Sequence, residues 1–247
     1  DFYKRWYAPN NAILVVAGDI TAAELRPLAE KYYGAIPRGP ELSRRRPQEP
    51  PHHAARQVEL RDARVKQSGW SRVFLAPSHF FGATQHVYPL EVLADILGGG
   101  ATSRLYRDLV VEKKLAVSAG AFYSSRGLGP ARFGVYASPR SGVGMDQIEA
   151  AVEDVLEEIR KSGVTDDEVT RAKGRIQAQA IFARDSLRAG AQALGSALAS
   201  GLSIEDVESW PERIEAVSRP AVEAAFAAVT VEGASVTARL LPAGGEI

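Results

Sequence analysis

Cysteine is absent from this 247-residue chain, and methionine occurs once, at Met145. The absence of cysteine excludes disulfide bonds, thiolate catalysis and zinc sites built on cysteine. It suits oxidising and reducing compartments alike, so it does not fix where the protein works. Because the first residue is Asp1 rather than Met, we expect the chain to be part of a longer protein.

A surplus of either charge is also missing, since 30 basic residues balance 30 acidic ones. A chain without net charge has no electrostatic attraction to nucleic acid or to an anionic membrane surface. The longest apolar runs are short, such as AILVVAG at 12–18, whereas a spanning helix needs about 20 residues. We therefore expect no nucleic-acid partner and no membrane span.

The four histidines do not form a metal-binding pattern. His52 and His53 are adjacent in a proline-rich stretch, and Phe80-Phe81-Gly82 breaks any helix between His79 and His86. A helical zinc pair needs H-E-x-x-H or H-x-x-E-H, and neither pattern occurs. The G-x-S-x-G elbow of serine hydrolases is also absent. We predict no metal site and no catalytic residue in this chain.

Helical and strand-like hydrophobic patterns alternate along the chain. Helices are predicted over 2–7, 21–34, 84–97, 103–113, 145–161, 165–187, 190–200, 204–217 and 219–228. Capping boxes begin two of them, at Thr21–Glu24 and at Thr165–Glu168. The helix over 145–161 has an apolar stripe of Ile148, Val152, Val155 and Ile159. Strands are predicted over 12–17, 115–124, 131–138 and 235–241, with two more between residues 58 and 76. Some strands are joined by hairpins and others by helices. This mixture predicts an α+β fold with helices packed on one face of a mostly antiparallel sheet.

Residues 37–57 differ in composition from the rest of the chain. They contain five of the 14 prolines and no long apolar run, which predicts an extended linker between two lobes. The triplet Arg44-Arg45-Arg46 is interpreted as part of this solvated linker rather than as a binding patch. The chain both opens and closes with a predicted helix, turn and strand. Two tandem copies of one lobe, of which the first is mostly missing, would produce this internal repeat.

A run of three glycines, Gly98 to Gly100, separates two of the predicted helices, and Thr102 or Ser103 follows as the candidate helix cap. Glycines before a helix N-terminus can cradle a phosphate. A P-loop requires G-x-x-x-x-G-K-[ST], however, and the lysine is absent here. We expect a turn whose main properties are flexibility and close backbone approach.

Three stretches of the chain are distinctive in their order and spacing. They are FYKRWYAPNNAILVVAGDITAAELRPLAEKYYGAIP at 2–37, LADILGGGATSRLYRDLVVEKKLAVSAGAFYSS at 93–125 and DDEVTRAKGRIQAQAIF at 166–182. Together they resemble the insulinase, pitrilysin and mitochondrial-processing-peptidase family of zinc peptidases. The resemblance extends over roughly the whole chain.

This resemblance implies tandem homologous α+β lobes, of which the first holds zinc through H-x-x-E-H on a helix and a downstream glutamate. The glutamate of the motif polarises the zinc-bound water. All of these groups would lie upstream of Asp1. The resemblance therefore implies that 1–37 is the tail of the zinc-bearing lobe and 38–57 a linker. Residues 58–247 would form the second, processing-peptidase-like lobe, which lacks zinc ligands.

The resemblance also marks candidate substrate-binding residues. In the family, an arginine and a tyrosine in a segment like L-R-E-K-x-G-L-A-Y steady the substrate backbone. These positions fall on Val110 and Val117, whose side chains donate no hydrogen bond. Tyr106 and Arg107 are the candidates to replace them. In some members of the family, a glycine-rich loop helps to admit or release substrate. The resemblance assigns this role to Gly98, Gly99, Gly100 and Ser103.

The sequence thus predicts the non-catalytic C-terminal part of a zinc metalloendopeptidase, which closes the substrate chamber against the zinc-bearing lobe. That lobe, in the same chain or on a separate subunit, is the expected partner, together with an extended peptide substrate that pairs with a sheet edge. The strand at 12–17, cut from its sheet, is expected to drive dimerisation through its edge.

Zinc is expected in the missing N-terminal lobe, and no cofactor is expected in this chain. The resemblance is to bacterial enzymes, which leaves periplasm and cytoplasm of a bacterium open. Two alternatives also stay open. The protein could be a non-catalytic scaffold or partner subunit of the same fold, or a binding module that shares only the fold.

Overall fold

The computed structural model describes residues 1–43, 52 and 54–244, apart from the side chain of Glu232. Contacts divide these residues into two units, one within residues 1–50 and 179–210 and the other within 51–178 and 211–247. The predicted α+β class is confirmed, with helices packed on a mostly antiparallel sheet. The predicted division into a tail over 1–37, a linker over 38–57 and a lobe over 58–247 stays a prediction. Residues 44–51 and 53 of that linker lie outside the described residues.

The larger unit is built on a five-stranded sheet with the strand order β1-β5-β2-β4-β3. Its strands are β1 (Arg56–Asp62), β2 (Gly69–Ala76), β3 (Ala116–Ser124), β4 (Ala131–Pro139) and β5 (Ser235–Pro242). Strand β1 runs parallel to β5, and the other three pairings are antiparallel. The last strand of the chain therefore lies inside the sheet, beside the first.

Three helices cover one face of this sheet: α3 (Val87–Gly98), α5 (Met145–Ser162) and α10 (Arg219–Val229). Trp70, Phe74 and Phe133 project from alternate positions of β2 and β4 into the core beneath these helices. The predicted apolar stripe of α5 is confirmed, because its residues at helical spacing are buried. The other regular helices that contribute to this unit are α4 (Arg104–Tyr106), α6 (Asp166–Ala183) and α9 (Trp210–Glu215). A π-helical turn over Arg107–Glu112 extends α4.

The smaller unit is helical. It contains α1 (Phe2–Trp6), α2 (Ala22–Ala29) with a π-helical turn over Glu30–Gly34, α7 (Leu187–Ala199) and α8 (Ile204–Glu208). The predicted capping box of α2 is confirmed, since the Thr21 hydroxyl accepts from the Glu24 amide and the Glu24 carboxylate accepts from the Thr21 amide. Gly195 of α7 faces Val15, so this helix lies against the extended segment 12–17.

The strand predicted over 12–17 is not formed. Ala12 has the extended backbone of a strand, but the described residues pair no neighbouring strand with this segment. Ile13, Leu14 and Val16 consequently remain 45–51% exposed. An apolar run can select an extended backbone by itself, whereas a strand also needs hydrogen-bonding partners on another strand.

Two helix boundaries were also predicted wrongly. The helix expected over 165–187 ends at Ala183, and a new helix begins at Leu187 with Ser186 as its cap. The helix expected over 204–217 is divided into α8 and α9. Pro211 stands in the first turn of α9, where a proline ring starts a helix more readily than it continues one.

Candidate functional site

The glycine run lies where α3 ends against the edge of β3. A Cβ atom on Gly98 would stand 1.9 Å from the Ala121 backbone nitrogen, and one on Gly99 would stand 2.0 Å from Asp95 Oδ1. Gly100 has open space around it but a φ of +124°, which side-chain-bearing residues rarely adopt. Each of the three glycines therefore has a packing or backbone requirement of its own, independent of any substrate.

Ser103 is buried within the turn that the glycines begin. Its hydroxyl donates to the Gly100 carbonyl over 2.7 Å, and its amide donates to the same oxygen over 3.1 Å. Ser103 also occupies the cap position of α4, as predicted, although its side chain makes no capping hydrogen bond there. The hydroxyl therefore fixes the shape of the turn.

Tyr106 and Arg107 follow one turn later, where α4 passes into the π-helical turn. Tyr106 is half-buried, and Arg107 is exposed and forms an ion pair with Glu112 at 3.3 Å. Both partners of that pair are more than half exposed, so it contributes little to stability. The Arg107 guanidinium is accessible to a ligand at small energetic cost.

The two positions at which the family often has arginine and tyrosine lie in different settings. Val110 is half-buried in the π-helical turn. Val117 is exposed at the irregularity in β3 where the pairing with β4 shifts register between Ala116 and Ser118. A bulge of this kind redirects a side chain. Valine offers apolar contact at both places and no hydrogen bond.

Sequence reasoning missed a charged pair that joins α4 to α6. Arg104 Nε and Nη2 donate to Glu168 at 2.7 and 2.8 Å, and Nη2 also donates to the Gly163 carbonyl at 3.1 Å. Glu168 additionally accepts from the Thr165 amide at 2.8 Å, as its predicted capping box requires. Burial alone would raise the pKa of Glu168, but the hydrogen bonds from Arg104 and Thr165 outweigh it and lower the pKa to about 2. The capping box signalled the helix start, but nothing in the local sequence signalled the distant arginine.

A second charged group fastens α5 to the sheet. Arg72 of β2 donates to Glu149 at 2.8 Å and contacts Glu153, while Arg239 of β5 also pairs with Glu149. Trp70 Nε1 donates to the same carboxylate at 3.3 Å. Burial opposes the charge of Glu149, yet the bonds from Arg239 and Trp70 prevail and lower its pKa. These side chains pair with one another, so the cluster serves to attach a helix.

Two further titratable groups are buried near the glycine run and β3. Burial raises the pKa of Asp95 although Arg175 donates to its carboxylate at 2.5 and 2.9 Å. Burial likewise raises the pKa of Tyr123, whose hydroxyl donates to the Pro77 carbonyl over 2.5 Å. Both groups already have protein partners, so neither is placed as a free acid or base.

Zinc does not fit the part of the chain that the structure describes. Within those residues, histidine, aspartate and glutamate nowhere form a group of three that could hold a metal ion. Three protein ligands are the minimum in catalytic zinc sites. In the same residues, no helix combines the length and apolar character needed to cross a bilayer.

A mixed sheet with helices packed on one face defines an α+β lobe. Comparison with family models identifies the lobe further, because residues 1–176 match the model described as the peptidase M16 inactive domain. The chain belongs to this family, which confirms the resemblance to zinc peptidases of the insulinase and pitrilysin type.

Curated relatives are about twice as long as the chain. A protein of Streptomyces coelicolor named as an uncharacterized zinc protease is 28% identical, over 88% of this chain and 49% of its own length. The zinc protease PqqE of Helicobacter pylori is 26% identical over 70% of this chain and 38% of its own length. The chain thus corresponds to a non-catalytic portion of proteins that are named zinc proteases.

Solved structures share the fold. A protease from Helicobacter pylori superposes with a TM-score of 0.88 at 21% identity, covering 98% of this chain and 57% of that one. A peptidase M16 inactive domain from Pseudomonas fluorescens gives a TM-score of 0.73 at 20% identity, covering 93% of this chain and 53% of that one. At such identities the likeness establishes the architecture alone.

Proposed function

We propose that the chain is the non-catalytic half of a zinc metalloendopeptidase and that it closes the substrate chamber against the zinc-bearing lobe. The observation that carries the proposal is the match of residues 1–176 to the peptidase M16 inactive domain. Relatives named zinc proteases extend over about twice the length of the chain. In this proposal the zinc ligands lie in the other half of the protein. The present chain forms part of the wall of the substrate chamber and contacts the substrate.

The proposed substrate is an extended peptide that adds to an edge of a sheet in the complete enzyme. Strand β3 stands at one edge of the present sheet. Tyr106 and Arg107 lie shortly before β3 in the chain, and the exposure of Arg107 allows it to reach a peptide carbonyl. The role proposed for the glycine-rich turn, through Gly98, Gly99, Gly100 and Ser103, is to admit or release substrate.

The second candidate function is a scaffold or partner subunit of the same fold with no catalysis in either half. The two valines at 110 and 117 favour it, because they remove the hydrogen-bond donors that the family often places there. A scaffold needs no such donors, whereas an enzyme without them must use other residues to steady its substrate.

The exposed segment 12–17 is proposed to pair within the sheet of the missing lobe. When the chain is purified alone, its extended apolar backbone is expected to pair between two copies instead. Sedimentation at increasing concentration tests this expectation, and a monomer throughout the range contradicts it.

The gene that encodes the chain distinguishes the two candidate functions. A segment upstream of Asp1 with H-x-x-E-H and a later glutamate is the expected result, since it supplies the zinc ligands and the group that polarises water. An upstream lobe without those ligands would leave the scaffold as the function and would remove the enzyme assignment.

A further inference from the structure

Two ion pairs attach the flanks of the glycine-rich turn, residues 98–103, to the same helix. Asp95 lies shortly before the turn in α3 and accepts from Arg175 of α6 at 2.5 and 2.9 Å. Arg104 directly follows the turn and donates to Glu168 of α6 at 2.7 and 2.8 Å. The turn is therefore held to α6 on both sides.

The signs of the four charges fix the position of the turn along α6. Glu168 and Arg175 are two helical turns apart, so they lie on one face of the helix, about 10 Å from each other. The helix provides the carboxylate of one pair and the guanidinium of the other. A shift along the helix axis would bring Asp95 toward Glu168, or Arg104 toward Arg175, and like charges repel each other. The pattern thus favours a single register.

Both ion pairs are sheltered from water. The side chains of Asp95 and Arg104 are only 7% and 10% exposed. Two hydrogen bonds from one guanidinium restrict its direction as well as its distance from the carboxylate. Removing one partner would leave a buried charge without its counterpart, which is strongly unfavourable. These pairs therefore constrain the turn more firmly than exposed pairs could.

Hydrogen bonds also restrict the backbone between the two ion pairs. The Gly99 amide donates to the Asp95 carbonyl over 2.7 Å, and a Cβ atom on Gly99 would stand 2.0 Å from Asp95 Oδ1. Asp95 thus contacts the turn through both its backbone and its side chain. Ser103 closes the other end through its two hydrogen bonds to the Gly100 carbonyl. These contacts argue against the flexibility expected from the glycine content.

The crown of the turn, Gly100 to Thr102, is exposed between these attached flanks. Thr102 is the one residue of the crown with a hydrogen-bonding side chain. A cavity of about 20 Å³, which has room for one water molecule, is lined by Ile96, Thr102, Glu168, Arg171 and Arg175. Because so small a space separates Thr102 from α6, this helix sets the position of the threonine.

We propose that the two ion pairs hold the crown of the glycine-rich turn in one position on α6 and thereby present the Thr102 hydroxyl to a peptide substrate. The positioning residues are Asp95, Arg104, Glu168 and Arg175. This inference rests on the proposed function, which supplies the substrate. The turn then guides a peptide as a fixed edge of the chamber and does not open as a flap.

Hydrogen exchange in the wild-type full-length protein is the first test of the positioning. The amides of Gly99 and Ser103 both donate within the turn. We expect them to exchange about a hundredfold or more slowly than in an unstructured peptide. Exchange as fast as in an unstructured peptide would overturn the proposal without any variant.

Arg175→Met removes the guanidinium from one pair and keeps a long side chain. We expect exchange over residues 97–104 of the full-length protein to accelerate by about tenfold or more, with β4 unchanged. Arg175→Lys keeps the charge and should restore part of the protection. The matched control is Arg171→Met, one turn earlier on α6, because the Arg171–Asp167 pair is 62% and 70% exposed.

Three results of this comparison would overturn the positioning role. Exchange could stay unchanged in Arg175→Met, which would show that the ion pair does not hold the turn. Exchange could rise equally in Arg171→Met, which would show that any charge on α6 has the same effect. Exchange could rise in β4 as well, which would show a general loss of stability.

Peptide hydrolysis by the full-length protein tests the contact with substrate. Thr102→Val removes the hydroxyl at nearly constant volume, and we expect it to raise KM by about threefold to tenfold with kcat nearly unchanged. Arg175→Met should raise KM in the same way, and Arg175→Lys should raise it less. Thr170→Val, at an exposed position of α6, is the matched control. A wild-type KM in both Thr102→Val and Arg175→Met would overturn the inference and leave the proposed function standing.

The two measurements separate this inference from the proposed function on which it rests. A full-length protein that hydrolyses no peptide would overturn the proposed function and, with it, the substrate contact of Thr102. Hydrogen exchange would still decide whether the ion pairs hold the turn, because that measurement needs no substrate.

Discussion

Glu168 is the residue whose ionisation the structure connects most directly to stability. Its carboxylate is 21% exposed and holds both Arg104 and the start of α6. The pKa is about 2 in the folded chain against an ordinary value of 4.5. Because the folded pKa is the lower one, the stabilisation is complete above pH 4.5 and is lost as the pH falls toward 2.

Replacing Glu168 by glutamine should therefore lower the free energy of unfolding at neutral pH by about 1–3 kcal/mol. The difference from wild type should shrink as the pH approaches 2, where the wild-type carboxylate is protonated as well. Urea unfolding at several pH values measures both effects. The matched control is Asp167→Asn, because that neighbouring carboxylate is 70% exposed in its pair with Arg171. A loss from Glu168→Gln that is equal at pH 7 and pH 2 would contradict the account.

Arg107 is the residue at which the proposed substrate contact can be tested. Arg107→Ala in the full-length enzyme should lower kcat/KM for peptide hydrolysis by about threefold to tenfold, the value of one hydrogen bond to substrate. Tyr106→Phe tests the neighbouring hydroxyl in the same assay. Lys161→Ala on α5 removes an exposed cation elsewhere and serves as the control. Unchanged kinetics in both test variants would remove these residues from the proposed site.

At the scale of elements, Gly98 sets how closely α3 approaches β3. A methyl group at this position would stand 1.9 Å from the Ala121 nitrogen, so the helix and the strand must separate. Gly98→Ala should destabilise the chain by about 1–3 kcal/mol in thermal or urea unfolding. Gly174→Ala lies in helix α6 with open space around it and should instead be neutral or stabilising. A stable Gly98→Ala variant would show that α3 can shift without cost.

The elements that could be predicted from the sequence are those whose signal is local. The stripe of α5 and the capping boxes at Thr21 and Thr165 specify helices through residues three or four positions apart. The segment 12–17 could not be predicted in the same way, because forming a strand depends on a partner strand. The division between α8 and α9 lay at Pro211, a signal that was present in the sequence but was not used.

The candidate site was harder to predict than the fold. The glycine-rich turn was located correctly from its composition, but the close approach of Gly98 to β3 is a tertiary contact. The Arg104–Glu168 pair joins residues that are 64 positions apart. The pairing of β1 with β5 likewise joins strands from distant parts of the chain. Such long-range placements leave no periodic trace in a single sequence.

At the scale of the whole molecule, the larger unit is a lobe with helices packed on one face of its sheet. Family membership and the length of the relatives support the proposal that two halves of the protein have different roles. In that proposal the lobe contributes shape and surface, and zinc chemistry belongs to the partner.

The most direct test of this division compares zinc content and peptide hydrolysis of the 247-residue chain with those of the full-length protein. We predict no stoichiometric zinc and no zinc-dependent hydrolysis for the chain alone. One zinc and chelator-sensitive hydrolysis are expected for the full-length protein. Robust zinc-dependent proteolysis by the purified chain would contradict the account, as would a full-length protein that binds no zinc.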